Sequence, residues 1–167
     1  MNNNKIFDLD LERCSGCMAC VVACFDQNDI DTGRAEGLRD VSAVRPVYSA
    51  SKKPGYASLA CMHCDDAPCV TGCPTGCLKK ADNGLVVSDT SLCIGCHSCM
   101  IACPCGAPRF DADGKISKCD GCFERVENGL IPACVRVCTT KALKFDTPRN
   151  IEQLKKDKLL RKLISLR

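Results

Sequence analysis

Pro74-Thr-Gly-Cys-Leu-Lys-Lys-Ala-Asp-Asn-Gly-Leu-Val-Val-Ser-Asp-Thr-Ser-Leu92 separates two dense cysteine groups, and its reading decides how the chain is organised. Pro74-Thr-Gly supplies a turn that leads into a short strand. Asn83-Gly84 is a hairpin signal, because the tightest hairpin turns need positive φ at both central residues and these residue types tolerate it. Leu85-Val86-Val87 reads as the second strand. Asp89 to Leu92 lead into Cys93. A hairpin this short brings the group before it against the group after it, so the two make one unit.

The groups carry the chemistry. Cys14, Cys17, Cys20 and Cys24 read C-x2-C-x2-C-x3-C, and Cys93, Cys96, Cys99 and Cys103 repeat that spacing. Cys61, Cys64, Cys69 and Cys73 read C-x2-C-x4-C-x3-C, and Cys119, Cys122, Cys134 and Cys138 read C-x2-C-x11-C-x3-C. The first spacing is that of bacterial [4Fe–4S] ligation, in which three cysteines hold one cube and the fourth ligates another. Structural zinc usually pairs two C-x2-C hooks across a loop. Disulfides belong to oxidising compartments, and tight C-x2-C pairs have poor geometry for them. Sixteen of the eighteen cysteines fall in the four groups, which implies four [4Fe–4S] clusters and a protein built to carry electrons.

Because a fourth cysteine serves a neighbouring cluster, the groups work in pairs. The hairpin pairs the middle two and leaves the outer two for each other. Ile6-Phe7-Asp8-Leu9 and Ala142-Leu143-Lys144-Phe145 read as strands of that outer unit. The expected quartets are Cys14, Cys17, Cys20 and Cys138; Cys24, Cys119, Cys122 and Cys134; Cys61, Cys64, Cys69 and Cys103; and Cys73, Cys93, Cys96 and Cys99. Pairing first with second and third with fourth is the rival, and it leaves the hairpin without a role.

The expected fold class is α+β: two bacterial-ferredoxin-like units, one inserted in the other. Residues 1–25 and 106–149 form the outer unit and 61–105 the inserted one. Residues 26–60 are a long connecting arm, irregular because Gly33, Gly37, Pro46, Pro54 and Gly55 break it, although 43–50 reads as a candidate strand. Residues 150–167 form a C-terminal helix.

With 167 residues the chain is one domain or two small ones. Cysteine inflates the 46% apolar content; only 4% is aromatic and Trp is absent, too little for a deep core. Metal must therefore supply part of the folding free energy, and the apo-protein is expected to be largely unfolded. The net charge of +3 is weak, and Lys and Arg do not cluster on an aromatic platform, which argues against nucleic acid. Residues 1–13 show no signal pattern and no twin Arg, and no apolar run is long enough to span a membrane. These features read as a cytoplasmic protein, with export on a signal-bearing partner left open.

Four motifs in fixed order resemble the four-cluster iron–sulfur subunits of the dimethyl sulfoxide reductase family, which include electron-transfer subunits of formate dehydrogenases, polysulfide reductases and nitrite-reductase complexes. The motifs are Cys14-Ser-Gly-Cys-Met-Ala-Cys20, Cys61-Met-His-Cys64 with Cys73-Pro-Thr-Gly76, Cys93-Ile-Gly-Cys-His-Ser-Cys99, and Lys118-Cys-Asp-Gly-Cys122 with Pro132-Ala-Cys-Val-Arg-Val-Cys138. The resemblance covers about residues 6–145. It implies a non-catalytic subunit that relays single electrons between a large molybdenum- or tungsten-pterin catalytic subunit and another redox partner, of flavin or ferredoxin type. The alternatives are the same relay for a tungsten aldehyde oxidoreductase-type enzyme or a hydrogenase, and a free polyferredoxin. Two departures stand out: Cys77 takes the place of the family's usual Ala, and Cys105 that of an aromatic. Both read as small buried hydrophobes, with a redox or ligand role as the alternative.

Several residues around the ligands have physical roles to fill. Gly16, Gly95 and Gly121 let the backbone wrap a cube with positive φ, so that N–H groups point at sulfur. Pro74 and Pro104 follow the fourth cysteine and constrain its turn; Phe25 and Thr139 stand there in the outer unit, so that turn reads as looser. His63 and His97 sit between cysteines but are not needed as ligands. Lys79, Lys80, Arg109, Lys115 and Lys118 offset cluster charge, face a partner or, more simply for most of them, form solvated surface. In the tail, Leu159, Leu160, Leu163, Ile164 and Leu166 share one helical face, with Lys158, Arg161, Lys162 and Ser165 opposite. That face packs at home, docks a partner or a second copy, or lies on a membrane surface.

Overall fold

The structure is a computed structural model, and it describes residues 4–31, 33, 36–44 and 55–165. The first strand, β1 (Ile6–Leu9), pairs antiparallel with the last, β8 (Leu143–Asp146), with Phe7 opposite Phe145 and Leu9 opposite Leu143. Everything between is thus enclosed by one strand pair. Leu143 and Phe145 are buried while Lys144 and Asp146 are not, the period-2 pattern of a strand with one covered face.

Three further hairpins follow in order. β2 (Asp40–Val44) pairs with β3 (Gly55–Leu59). β4 (Leu78–Lys80) pairs with β5 (Val86–Ser88). β6 (Arg109–Phe110) pairs with β7 (Ile116–Ser117). The hairpin expected across Asn83-Gly84 is the second of these, but only Gly84 has positive φ (83), and the turn is a longer one closed by Gly84 N–H to the Ala81 carbonyl and Ala81 N–H to the Leu85 carbonyl. The connecting arm is more regular than its glycines and prolines imply. Its described part carries β2 and β3, and Val41 and Tyr56 join the core around Cys20, Cys134 and Leu143. The candidate strand over 43–50 begins earlier, at Asp40, and residues 45–50 lie outside the described residues.

Short helices form where the cysteine groups close. These are α1 (Ala19–Gln27), α2 (Pro68–Thr71), α3 (Ser98–Ala102) and α5 (Ala133–Arg136), with α4 (Phe123–Glu127) after the fourth group's first pair. The reason is spacing: C-x3-C is one helical turn, so the third and fourth cysteines of a group lie on one face, a turn apart. α1 packs on α5, and α2 on α3. The helix of the first group therefore meets that of the fourth, and the second meets the third.

The two cores are small and rich in sulfur. One joins Ala67, Cys69, Cys77, Leu78, Val86, Cys93, Cys99 and Ile116. The other joins Cys20, Val41, Cys134 and Leu143, with Phe7, Leu9 and Tyr56 against them. Leu78, Leu85 and Val86 of the middle hairpin are, with Pro108 and Pro132, the largest fully buried side chains.

The C-terminal helix, α6 (Pro148–Ser165), starts two residues earlier than the sequence suggested. Its apolar row does not pack at home: Leu159, Leu160, Leu163 and Ile164 are exposed, and only Ile151 is buried. The basic face turns inward instead. Lys155 pairs with Asp8, Lys158 with Asp10 and Glu12, and Lys162 with Glu12. Leu166 lies outside the described residues. No helix among the described residues is long and apolar enough to cross a membrane.

Candidate metal centres

Three small sulfur-lined pockets gather cysteines from distant groups. Cys14, Cys17, Cys20 and Cys138 line one. Cys24, Cys119, Cys122 and Cys134 line another. Cys73, Cys93, Cys96 and Cys99 line the third, together with Cys77. The remaining set is seen through its electrostatics: Cys69 feels Cys61 and Cys103, and Cys105 feels Cys103, Cys64 and Cys61. The thiols surround spaces and not points, since no three His, Cys, Asp or Glu among the described residues close on a single ion. A tetrahedral zinc needs its sulfurs about 2.3 Å from one centre. A cube with its irons at the corners takes the wider spread.

The backbone is bent to aim amides at these sulfurs. Gly16, Gly95 and Gly121 have φ 71, 68 and 75, as the sequence predicts. Gly121 donates its N–H to Cys119 Sγ at 3.4 Å. A Cβ there would lie 2.6 Å from Leu85 Cδ2, so a side chain forces Leu85 to shift, on top of the strain of its positive φ. Ile116 N–H reaches Cys93 Sγ at 3.3 Å, and Ala107 N–H reaches Cys103 Sγ at 3.4 Å. Such bonds stabilise negative charge on sulfur.

An internal echo escaped the sequence reading. Cys138 Sγ lies 3.7 Å from Thr140 Oγ1 and accepts Leu143 N–H at 3.4 Å. Cys73 stands in the same relation to Thr75, at 3.7 Å, and to the Leu78 amide. The outer turn is therefore as constrained as the inner one, even with Thr139 where Pro74 stands. Burial works to raise both thiols, but these donors outweigh it. Cys73 is held down to about 7 and Cys138 below its ordinary value. The signal was present as Cys-x-Thr-x-x-Leu after both fourth cysteines.

Other thiols sit in drier surroundings. Burial pushes Cys24 and Cys119 each up to about 12. Cys77 is 3% exposed, and burial beside Cys93 and Cys73 raises it to about 11. Its expected burial holds. Cys105 is exposed, contrary to that expectation.

Two buried cations sit among the sulfurs. Arg39, on the arm, is 5% exposed; it donates to Ser58 Oγ at 3.0 Å and lines the pocket of Cys24, Cys119, Cys122 and Cys134. Ser58 Oγ in turn lies 3.3 Å from Cys20 Sγ. Lys118, for which the sequence leaves cluster-charge offset, a partner contact or solvated surface open, is also 5% exposed, which rules out the last, and lies 3.9 Å from Cys61 Sγ. Among the other basic residues, Lys80 donates to the Cys64 carbonyl at 3.1 Å and Lys115 to the Cys93 carbonyl. Arg109 pairs with Glu36, and Lys79 is exposed. Arg39 was missed because a lone arginine in an arm carries no motif.

His63 and His97 both have positive φ, 49 and 60. His97 caps α3 and packs on Phe110, with ring centroids 3.9 Å apart. His63 is 7% exposed. Burial, with Lys118 and Arg39 nearby, holds its ring neutral, with a pKa of about 3.

A family profile described as "4Fe-4S dicluster domain" matches residues 53–147. Among known proteins, the probable anaerobic dimethyl sulfoxide reductase chain YnfG of Escherichia coli is 39% identical over 156 residues, 88% of this chain and 75% of that one. A second anaerobic dimethyl sulfoxide reductase subunit of the same organism is 38% identical over 158 residues, 90% and 75% of the two proteins. The thiosulfate reductase electron transfer subunit PhsB of Salmonella typhi is 39% identical over 147 residues, 87% and 77%. The protein belongs to the 4Fe-4S dicluster domain family, among the iron–sulfur electron-transfer subunits of molybdoenzymes. It is an electron relay, and its cofactors are four [4Fe–4S] clusters.

Proposed function

We propose that the clusters are held by the four quartets read from the sequence, as two ferredoxin-like units nested one in the other. The observation that carries this reading is the gathering of Cys14, Cys17 and Cys20 with Cys138, and of Cys24 with Cys119, Cys122 and Cys134, in separate pockets. The packing of α1 on α5 and of α2 on α3 supports the same pairing. Bound there, the clusters supply one-electron storage, and the protein's own residues set spacing, potential and access.

The order along the relay follows from shared elements. α1 carries Cys20 of the first quartet and Cys24 of the second. Lys118 and His63 link the Cys119 loop to the Cys61–Cys64 loop. Cys69 and Cys73, a turn apart, join the last two. The relay thus runs from the Cys14 quartet through those of Cys119 and Cys61 to that of Cys93. Its two ends are the accessible ones: Cys17 and Cys96 are exposed. Apolar side chains ring both, with Met18 and Val22 at one end and Ile94 and Ile101 at the other. In the two intervening quartets Cys24, Cys61, Cys69, Cys119 and Cys134 are buried and Cys64, Cys103 and Cys122 are half-buried.

The partner is a large molybdenum- or tungsten-pterin catalytic subunit, since the relatives bear the names of reductase subunits. A second redox partner, of flavin or ferredoxin type, meets the other end, and the complex is cytoplasmic. The exposed apolar row of α6 is a surface for that complex or for a second copy. The subunit itself has no catalytic residues and transforms no organic substrate. Anaerobic size exclusion of native extract, followed by pterin analysis, tests this reading. It predicts co-elution with a large pterin-bearing subunit. Elution as a free monomer marks a diffusible polyferredoxin and contradicts it.

A further inference from the structure

His63 occupies the position that glycine fills in the other three ligand loops. Gly16, Gly95 and Gly121 each precede the second cysteine of a group, and His63 precedes Cys64. The backbone there is left-handed in all four, with φ 49 at His63. A histidine is strained in that conformation, so contacts of its side chain must offset the strain.

The ring's surroundings say which contacts. His63 Nδ1 accepts the Val86 N–H at 2.9 Å. An accepting Nδ1 carries no proton, so in the neutral ring the proton sits on Nε2. Nε2 lies 3.8 Å from Cys119 Sγ, a sulfur 56 positions away in the other unit. The ring is stacked on Phe7, with centroids 5.6 Å apart, and is 7% exposed. Strand β5 thereby fixes the tautomer, and Phe7 of β1 fixes the plane.

We propose that His63 is a positioning residue that reaches from one ligand loop into the neighbouring unit and donates its Nε2–H to Cys119 Sγ, raising the reduction potential of the cluster Cys119 holds. The donor favours the more negative, reduced state of the sulfur it faces, and hydrogen bonds to sulfur set cluster potential in this direction. The ring keeps its proton throughout. Gly121 N–H points at the same sulfur at 3.4 Å, so Cys119 Sγ accepts from both units. This inference rests on the quartets proposed above.

The test is His63→Gly in the intact holoprotein, a change that relieves backbone strain and matches the other three loops. Iron content and potentiometric EPR are read together. The expected result is sixteen irons, as in the unsubstituted protein, with one midpoint potential lowered and the other three in place. Full iron with all four potentials unchanged overturns the proposal. Fewer than sixteen irons in the unsubstituted protein sinks the quartet reading instead. If His63→Gly fails to load, histidine-¹⁵N labelling in a His97→Met background takes its place, because Met18 holds the same left-handed position as His97. A ring-nitrogen hyperfine coupling to one reduced cluster is expected there, and its absence overturns the proposal.

Discussion

Lys118 Nζ lies 3.9 Å from Cys61 Sγ, although the two are 57 positions apart. The same nitrogen donates to the carbonyls of Val86 and Cys119, each at 2.6 Å. One side chain thus touches the middle hairpin and a ligand loop from each of the two central quartets. Among the described residues no carboxylate pairs with it, and a buried cation without a counter-charge is costly. Clusters with thiolate ligands, negative in both oxidation states, supply that counter-charge.

Lys118→Met should lower the potential of the two central clusters, because the positive charge that favours their reduced state is gone. It should also destabilise the holoprotein by about 1–3 kcal/mol for each carbonyl left without a donor. Potentiometric EPR and thermal unfolding under argon measure the two effects. Unchanged potentials with full iron would show that Lys118 only ties the hairpin to the loop.

The acid and salt behaviour of α6 follows from its ion pairs. Burial works to raise the Asp10 carboxyl, but Lys158 outweighs it and holds the group below its ordinary range. Lys162 and Lys158 hold Glu12 down as well. Both folded pKa values are depressed, so the native state binds fewer protons than the unfolded one. The contribution is fully present above the ordinary carboxylate range and is lost as pH falls through the lowered values. Protection of α6 against hydrogen exchange, taken relative to the intrinsic rate at each pH, should fall on acidification and in high salt, and Lys158→Ala should lower it at neutral pH. Protection that ignores salt would assign the docking of α6 to Ile151.

Removing Leu85 should be expensive. It is 0% exposed, and its methyls press against Gly121 in the Cys119 loop. Leu85→Ala should cost about 2–5 kcal/mol. Gly121→Ala should be worse, since it adds a clash to a positive φ. Anaerobic thermal denaturation followed by the cluster absorbance checks both.

Cys77→Ala and Cys105→Tyr should each leave iron content unchanged, because the proposed quartets use sixteen cysteines and neither of these. Iron and sulfide analysis decides. Loss of a cluster from Cys77→Ala would promote that buried thiol, which shares a pocket with Cys93, to a ligand.

Much of the fold was legible because cysteine spacing is a geometric code. C-x3-C is a helical turn, Asn83-Gly84 marks a hairpin, and Leu143–Phe145 alternates as a strand does and pairs with Ile6–Leu9. The arm was harder. Its glycines and prolines read as irregular, yet Val41 and Tyr56 join the core through contacts that no local pattern encodes. Arg39 was invisible for a related reason, and Lys118 was left between alternative roles: a buried cation looks like a surface one until the negative charge it faces is placed. The tail's helix was legible, but which face turns inward was decided by Asp8, Asp10 and Glu12, far away in sequence.

The central claim is the nested pairing of quartets, and one comparison of EPR spectra tests it most directly. Cys14→Ala and Cys138→Ala should each abolish or convert the same cluster signal, although the residues stand at opposite ends of the sequence. Cys93→Ala and Cys73→Ala should together affect a different one. If the spectrum of Cys138→Ala instead matches that of Cys93→Ala, the units are sequential and the nested account is wrong.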